Sequence, residues 1–326
     1  MKKTFDFVGH LKTFLIISAA IMVVGVLMNV IFGVKMDVAF KGGTQLRYSY
    51  EVQPELTKVE TVAKEILCKD AEVSLDEVNN TSVVSVTLPS EISTEQQDAF
   101  TQKLQKDFKD SKLVNFSSNT LSASMGLKFF LRCILAVVIA AALLLVYVGF
   151  RFRKIGGLSA GVAALIALVH DLLIVYFTFV IFRIELNENF VAVMLTILGY
   201  SLNDTIVIFD RIRSNSRKMN APLDEVVNHS LNQCLRRTIV TSVTTCAAIG
   251  TVAVVALVMH VDSIISFALP MLLGSISGCY SSVALSAPIW VRWLKKDAKA
   301  YFAYGSSKPP MINRRFRFAL DGNCRK

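Results

Sequence analysis

The chain has 326 residues, of which 53% are hydrophobic and only 18% are charged. Soluble domains carry about 25% charged residues, so this composition excludes an ordinary soluble globular protein. The net charge of +10 invites a nucleic-acid-binding interpretation, but no basic stretch is interleaved with aromatic residues on a recognisable fold. We therefore predict no nucleic-acid partner.

Six apolar stretches are long enough to cross a hydrocarbon core of ~30 Å, which needs about 20 helical residues. In chain order they cover residues 13–32, 130–150, 158–182, 190–209, 238–259 and 264–285, and the last is able to continue toward Trp293. The first stretch is longer than the apolar region of a signal peptide and is predicted to be an uncleaved anchor. The sequence thus predicts an α-helical polytopic membrane protein with six transmembrane helices.

Positive charge lies mainly on one side of these spans. Before the first span, after the second, between the fourth and fifth, and after the sixth there are 22 Lys and Arg residues. The loops at 183–189 and 260–263 hold one between them. This bias predicts that both termini are cytoplasmic. The segment 211–235 has apolar residues at helical spacing, which predicts an amphipathic helix on the cytoplasmic leaflet.

The segment between the first two spans is polar and of mixed charge, and we predict that it forms a separate domain outside the cytoplasm. Alternating apolar residues predict strands at 44–50, 71–75, 82–88 and 112–116. Helical spacing predicts a helix at 54–67, and a capping box of Ser93 and Gln96 predicts a second helix ending near 108. The order β-α-β-β-α-β predicts a small α+β domain of the ferredoxin-like type.

These patterns divide the chain into four units. They are an amino terminus with the first span (1–34), the extracytoplasmic domain (35–125), the remaining five spans (126–294) and a basic cytoplasmic tail (295–326). The extracytoplasmic domain has no histidine, no phosphate-binding loop and no nucleophile paired with a base, so we predict a binding or mechanical module rather than an enzyme. Its only cysteine is Cys68, and the chain has no CxxC pattern, so we predict no metal or cofactor.

Ionisable side chains within the spans are the candidate functional residues, because each costs about 2.5–3.5 kcal/mol at the centre of a membrane helix. Asp204 follows Asn203 in the fourth span and is too short to reach the membrane surface. The residue chemistry favours a carboxylate that takes up and releases a proton, with a static hydrogen bond between helices as the alternative.

Two further positions carry open alternatives. His170 and Asp171, near the middle of the third span, are equally compatible with a proton relay and with a helix clamp. Arg237, at the start of the fifth span, either anchors the helix at the membrane surface or reaches inward toward Asp204. For the adjacent Arg236 the anchoring interpretation is favoured.

Small residues predict close helix packing in the bundle. Gly157 and Gly161, and likewise Gly274 and Gly278, have the four-residue spacing that lets helix backbones approach closely, and Gly199 is a further candidate. The sixth span is also rich in serine, at positions Ser275, Ser277, Ser281 and Ser282.

Four runs of sequence carry a family resemblance. They are GYSLNDTIVIFDRIR at 199–213, ALVHDLLIV at 167–175, FKGGTQL at 40–46 and NQCLRRTIVTSVTT at 232–245. Together they resemble the SecD/SecF family of protein-export membrane proteins, which belongs to the RND superfamily. The resemblance extends from the amino terminus to about Trp293.

The resemblance implies a function and a set of partners. It implies one six-span RND half in the bacterial inner membrane that pairs with SecD and acts with the SecYEG channel, and often YidC, on a translocating preprotein. It also implies that the proton-motive force drives this export. Asp204 and Arg237 would be the coupling pair near Asn203, with His170 and Asp171 as matching positions. The motif that enters the extracytoplasmic domain would be Phe40, Gly42, Gly43 and Thr44.

Two other functions remain open. One is half of an RND transporter for a lipid or drug, although an extracytoplasmic domain of about 90 residues is small for that role. The other is a passive scaffold for the translocase, in which the polar residues of the spans serve assembly alone.

Overall fold

The computed structural model describes residues 5–67, 71–78, 81–155, 157–219, 221–259 and 261–303. Cys68 and most of the predicted basic tail, from residue 304 onward, lie outside the described residues. In chain order the elements are α1 (Leu11–Phe32), α2 (Val38–Lys41), β1 (Gly43–Ser49), α3 (Leu56–Leu67), β2 (Glu72–Val78), β3 (Thr81–Leu88), α4 (Thr94–Asp107), β4 (Val114–Leu121), α5 (Ala123–Arg151), α6 (Gly157–Ile181), α7 (Glu188–Lys218), α8 (Leu223–Val258), α9 (Asp262–Ser281) and α10 (Ala287–Ala303).

Within the described ranges, six helical segments are long and apolar enough to cross a membrane. Five are α1, α5, α6, α7 and α8. The sixth runs from α9 through a π-helical turn at Ser282–Ser286 into α10 and has its apolar part at Ser263–Lys295. The predicted number of spans and the extension of the sixth are therefore confirmed.

The prediction of a membrane-surface helix at 211–235 is wrong. Instead α7 continues to Lys218 and α8 begins at Leu223, after a short turn that contains Pro222. At 36 residues α8 is about 54 Å long, so it extends well beyond a ~30 Å hydrocarbon core. The apolar residues at helical spacing pack between the two helices and against α10 rather than on a lipid surface; they include Ile212, Leu223, Val227 and Leu231.

The sheet domain, comprising β1–β4 with α3 and α4, has strand order β2-β3-β1-β4 with every neighbouring pair antiparallel. This order confirms the ferredoxin-like prediction. One sheet face and the two helices enclose a core that includes Leu46, Tyr48, Val86 and Phe100. The predicted capping box is also present, with Ser93 Oγ accepting the Gln96 N–H at 3.3 Å.

The last strand differs from the prediction. Strand β4 covers Val114–Leu121 rather than 112–116, and Phe116 forms a bulge because Arg47 pairs with Ser117 while Tyr48 pairs with Asn115. As an edge strand, β4 exposes most of its side chains, so the apolar alternation that predicts a half-buried strand is missing after Phe116.

The segment that leads from α1 into the sheet domain is fixed to the bundle. The Asp37 N–H donates to the Leu186 carbonyl at 3.1 Å, and the Leu186 N–H donates to the Lys35 carbonyl at 2.9 Å. The α2 turn then places Phe40 in the bundle, where it is only 2% exposed. Gly42 and Gly43 follow with φ of 77° and 130°, which allow the chain to turn into β1.

The amino-terminal segment before α1 is held against the opposite end of the bundle. The Asn232 side chain accepts the Phe5 N–H at 3.0 Å and donates to the Phe5 carbonyl at 2.9 Å. Asn228 donates to Asp6 Oδ1 at 2.7 Å, and the same oxygen accepts the Gly9 N–H at 2.8 Å. These contacts tie residues 5–9 to α8.

This docking is expected to weaken in acid. The hydrogen bond from Gly9 is the main cause that lowers the pKa of the Asp6 carboxyl in the folded protein. A lowered pKa means that the contribution of Asp6 to stability is present at neutral pH, above its unfolded value of about 3.9, and is lost as the pH falls through the folded-state pKa. Asp6→Asn should therefore lower the thermal unfolding temperature at pH 7, and the difference should be smaller at an acidic pH below the folded-state pKa of Asp6. An equal difference at both pH values would contradict this assignment.

Candidate functional site

The most extensive polar contact inside the bundle surrounds Asp171 of α6, whose side chain is fully buried. Its Oδ2 accepts hydrogen bonds from Ser201 of α7 and Ser281 of α9, each at 2.6 Å. Its Oδ1 accepts a third from Ser277 of α9, also at 2.6 Å. One carboxylate thus joins three helices through three hydroxyl groups. We call these four residues the serine cluster.

His170 extends the serine cluster toward α1. Its Nδ1 lies 3.2 Å from Asp171 Oδ1, and its ring packs against Tyr280 with centroids 6.0 Å apart. The Tyr280 hydroxyl donates to the Phe14 carbonyl at 2.8 Å and lies 3.1 Å from Ser18 Oγ. Buried Nε2 of His170 has no hydrogen-bond partner among the described residues.

A second set of hydrogen bonds connects the serine cluster to the residue after Asp204. Ser282 Oγ donates to the Ser201 carbonyl at 3.1 Å and lies 3.0 Å from Thr205 Oγ1. Ser282 is the first residue of the π-helical turn, a local geometry that occurs frequently at functional sites. The polar interior is therefore continuous from Asp171 to the level of Asp204.

Asp204 itself is in a different environment. Its side chain is 7% exposed, and within the described residues no hydrogen bond to its carboxylate is found. The Arg237 guanidinium of α8 is close enough to act on it electrostatically, but the two form no ion pair within 4.0 Å. Arg237 is largely exposed. A buried carboxylate without hydrogen-bond donors is costly to keep charged, so its protonation state is sensitive to its surroundings.

Asn203 is not brought together with Asp204. It is exposed on the outer surface of α7, on the same face as Thr196 and Gly199. Because no atom of the described residues lies within 4 Å of a Cβ added to Gly199, its predicted role in helix packing is not found in that part of the chain. The neighbouring helix α8 also exposes a polar stripe, formed by Arg237, Thr241, Thr244 and Thr251.

The other predicted glycines lie at close helix contacts. An added Cβ on Gly157 would lie 2.2 Å from the Gly149 carbonyl oxygen of α5, and one on Gly161 would lie 3.0 Å from Leu145. On α9, a Cβ on Gly274 would lie 2.8 Å from Val175 of α6 and 2.9 Å from Ile197 of α7. A Cβ on Gly278 would be 3.1 Å from the Ser201 side chain.

The sequence interpretation missed the connection between Asp171 and the serines. It treated Ser277 and Ser281 as general helix contacts and did not single out Ser201. The available signal was their spacing of four residues in the sixth span, which places both hydroxyls on one face of the helix. Only the packing of α6 against α9 identifies the carboxylate that they contact.

The fold and the site together define a class: a polytopic membrane protein with buried carboxylates in a six-helix bundle and a ferredoxin-like domain inserted after the first helix. The family model described as protein export membrane protein SecD/SecF, C-terminal, matches residues 100–296. The chain is 34% identical over 305 residues to the protein translocase subunit SecF of Alicyclobacillus acidocaldarius, covering 92% of this chain and 96% of that protein. This chain belongs to the SecD/SecF family.

Two longer relatives show the same relationship. The protein translocase subunit SecDF of Bacillus subtilis is 30% identical over 299 residues, covering 90% of this chain and 39% of that protein. The crystal structure of SecDF from Thermus thermophilus, a translocon-associated membrane protein, matches with a TM-score of 0.74 at 27% identity. That match covers 90% of this chain and 39% of the SecDF chain, so this chain spans well under half of the fused proteins.

Proposed function

We propose that this protein is an accessory subunit of the Sec translocase that, together with SecD, promotes protein export with energy from the proton-motive force. The observation that carries the proposal is the buried Asp204 carboxylate, which has no hydrogen bond in the described structure and lies near Arg237. Family membership supports the translocase role, since two relatives matched over 96% and 97% of their own length are named protein translocase subunits.

In this proposal Asp204 binds and releases the driving proton, and Arg237 favours its charged form when the two approach each other. His170 and Asp171 hold the neighbouring helices in the arrangement that this exchange requires. Asn203 acts differently: since its amide is exposed on α7, it forms a hydrogen bond across the interface with the partner.

The partner is a SecD half. Support comes from the fused Bacillus subtilis relative, in which this chain matches 39% of the length and the remainder is a second part of the same polypeptide. The exposed Asn203 amide of α7 and the exposed Arg237 guanidinium of α8 fit a helix partner better than lipid, because polar groups at membrane depth need hydrogen-bond partners. The pair then acts with the SecYEG channel, and with YidC, on a translocating preprotein.

We further propose that the protein resides in the bacterial inner membrane with both termini in the cytoplasm. The Lys and Arg bias of the short loops supports this orientation. The four units at 1–34, 35–125, 126–294 and 295–326 then have separate roles, and the sheet domain faces the exported preprotein. Its role is mechanical or in binding rather than enzymatic.

Inverted inner-membrane vesicles with and without this chain, each containing the SecD partner and the SecYEG channel, test the proposal. Protection of the preprotein from added protease measures its export, in the presence and absence of a protonophore. We expect the chain to accelerate export only while the gradient is present. Equal acceleration after the gradient has been collapsed would instead identify a passive scaffold, and no acceleration would exclude the translocase role.

A further inference from the structure

One face of α6 joins the serine cluster to the sheet domain. Asp171, Val175 and Phe179 recur at four-residue spacing and are all buried, so they lie on one line along the helix. The line is eight residues long, or about 12 Å. Asp171 at one end is bonded to α7 and α9, and Phe179 at the other end lies at the end of the bundle that carries the sheet domain.

Phe40 lies in the buried cluster at the far end of this line. It belongs to the same buried cluster as Val175, Phe179 and Phe190, and its ring packs edge-to-face on Phe130 of α5 with centroids 5.3 Å apart. Two residues after Phe40 the chain turns at Gly42 into the first strand of the sheet domain. The cluster therefore links Phe179 to the base of that domain.

The loop that joins α6 to α7 is attached to the same base. Leu186, in this loop, exchanges two backbone hydrogen bonds with the segment that precedes α2. The hairpin of α6 and α7 thus carries Asp204 near one end and contacts the base of the sheet domain at its tip. The hydrogen bond between Ser201 and Asp171 joins its two helices.

The helices covalently joined to the sheet domain are less buried than the two helices of this hairpin. In the most apolar stretch of α1 and of α5 only 11% is buried, compared with 56% in the corresponding stretch of α6 and 44% in that of α7. Packed contacts carry a rearrangement of the bundle interior, so the more buried hairpin helices are the better route for it.

We propose that the α6–α7 hairpin is the lever that connects the Asp204 site to the sheet domain, with Asp171 as the positioning residue that makes it rigid and Phe40 as its point of contact. This inference rests on the proposed function. It assigns Asp171 a mechanical role: the carboxylate accepts three hydroxyl hydrogen bonds that keep α6 in register with α7 and α9. Three short hydrogen bonds to one side chain in a low-dielectric interior are strong enough for that purpose.

The lever is tested by distance measurements in the full chain bound to its SecD partner. Spin labels are placed at Val52 in the sheet domain and Val258 at the end of α8, which are 57% and 67% exposed, in a background without native cysteines. The label separation is compared between the parent and Asp204→Asn, which fixes a neutral side chain at that site. We expect a shift in the mean separation, and we expect Asp171→Asn or Phe40→Ala to remove it.

Phe40→Leu is the matched control, because it retains a large apolar side chain in the cluster and should preserve the shift. This pair decides the question even if Asp171→Asn does not assemble with the partner. A shift that persists in Phe40→Ala would overturn the lever and leave the proposed function intact. No shift between the parent and Asp204→Asn would refute the conformational step of the proposed function itself.

Discussion

Replacing Asp204 with asparagine is expected to reduce export to the level seen when the proton gradient is collapsed, while assembly with the SecD partner is unchanged. Asparagine has nearly the same shape but cannot bind and release a proton. A proton shifts a conformational equilibrium only by its different affinity for the two states, so without proton binding the gradient has no effect on the bundle. Preprotein export into vesicles, with and without a protonophore, measures the loss.

Asp210→Asn is the control for this prediction. Asp210 lies on the same helix, six residues or about 9 Å further along, and its side chain is 46% exposed. It pairs with Arg151 at 3.1 Å and with Arg213 at 2.8 Å, and exposed pairs of this kind contribute little to stability. Export should remain close to the parent value. Equal loss in both variants would show that the charge on α7 matters in general and would remove the special role of Asp204.

Replacing Gly43 with alanine is expected to destabilise the sheet domain by about 3 kcal/mol or more. Gly43 has a φ of 130°, which strains any residue with a Cβ, and an added Cβ would lie 2.2 Å from the Leu88 carbonyl oxygen. Leu88 belongs to β3, which pairs with β1, so relief of the clash requires separating the two central strands. Hydrogen exchange of β1 and β3 amides in the full chain measures the effect.

Gly33→Ala separates the two causes. Gly33 also has a positive φ, of 63°, but among the described residues no atom lies within 4 Å of its added Cβ. Its substitution therefore carries the backbone strain alone, about 1–3 kcal/mol, and leaves the sheet domain protected from exchange. Faster exchange of β1 and β3 in Gly33→Ala, equal to that in Gly43→Ala, would show that the close contact with Leu88 is not the cause.

Features that depend on neighbouring residues were predictable. The six spans follow from runs of apolar residues, since a lone helix in lipid must satisfy its backbone internally and cover itself with apolar side chains. The order of strands and helices in the sheet domain follows from apolar spacing, and the start of α4 follows from the hydrogen bonds between Ser93 and Gln96. Asp204 and Asp171 were found because an acid within an apolar run is costly wherever the run packs.

Features that depend on distant residues were not predictable. The apolar spacing of 211–235 is the same for a helix on a lipid surface and for a helix in contact with another helix, and only the contact with α10 selects the second. Likewise, serines suit many helix interfaces, so their sequence does not reveal that Ser201, Ser277 and Ser281 share one carboxylate.

The sequence by itself determined how often the chain crosses the membrane, which fold lies between its first two spans and which side chains are costly to bury. The tertiary structure alone decided which of those side chains meet: Asp171 contacts three serines, Asp204 has no hydrogen bond in the described structure, and Asn203 faces outward. The physical reason is that insertion and secondary structure depend on each segment's own composition, whereas contacts between helices depend on the rotation and depth of each helix, which the whole bundle sets together.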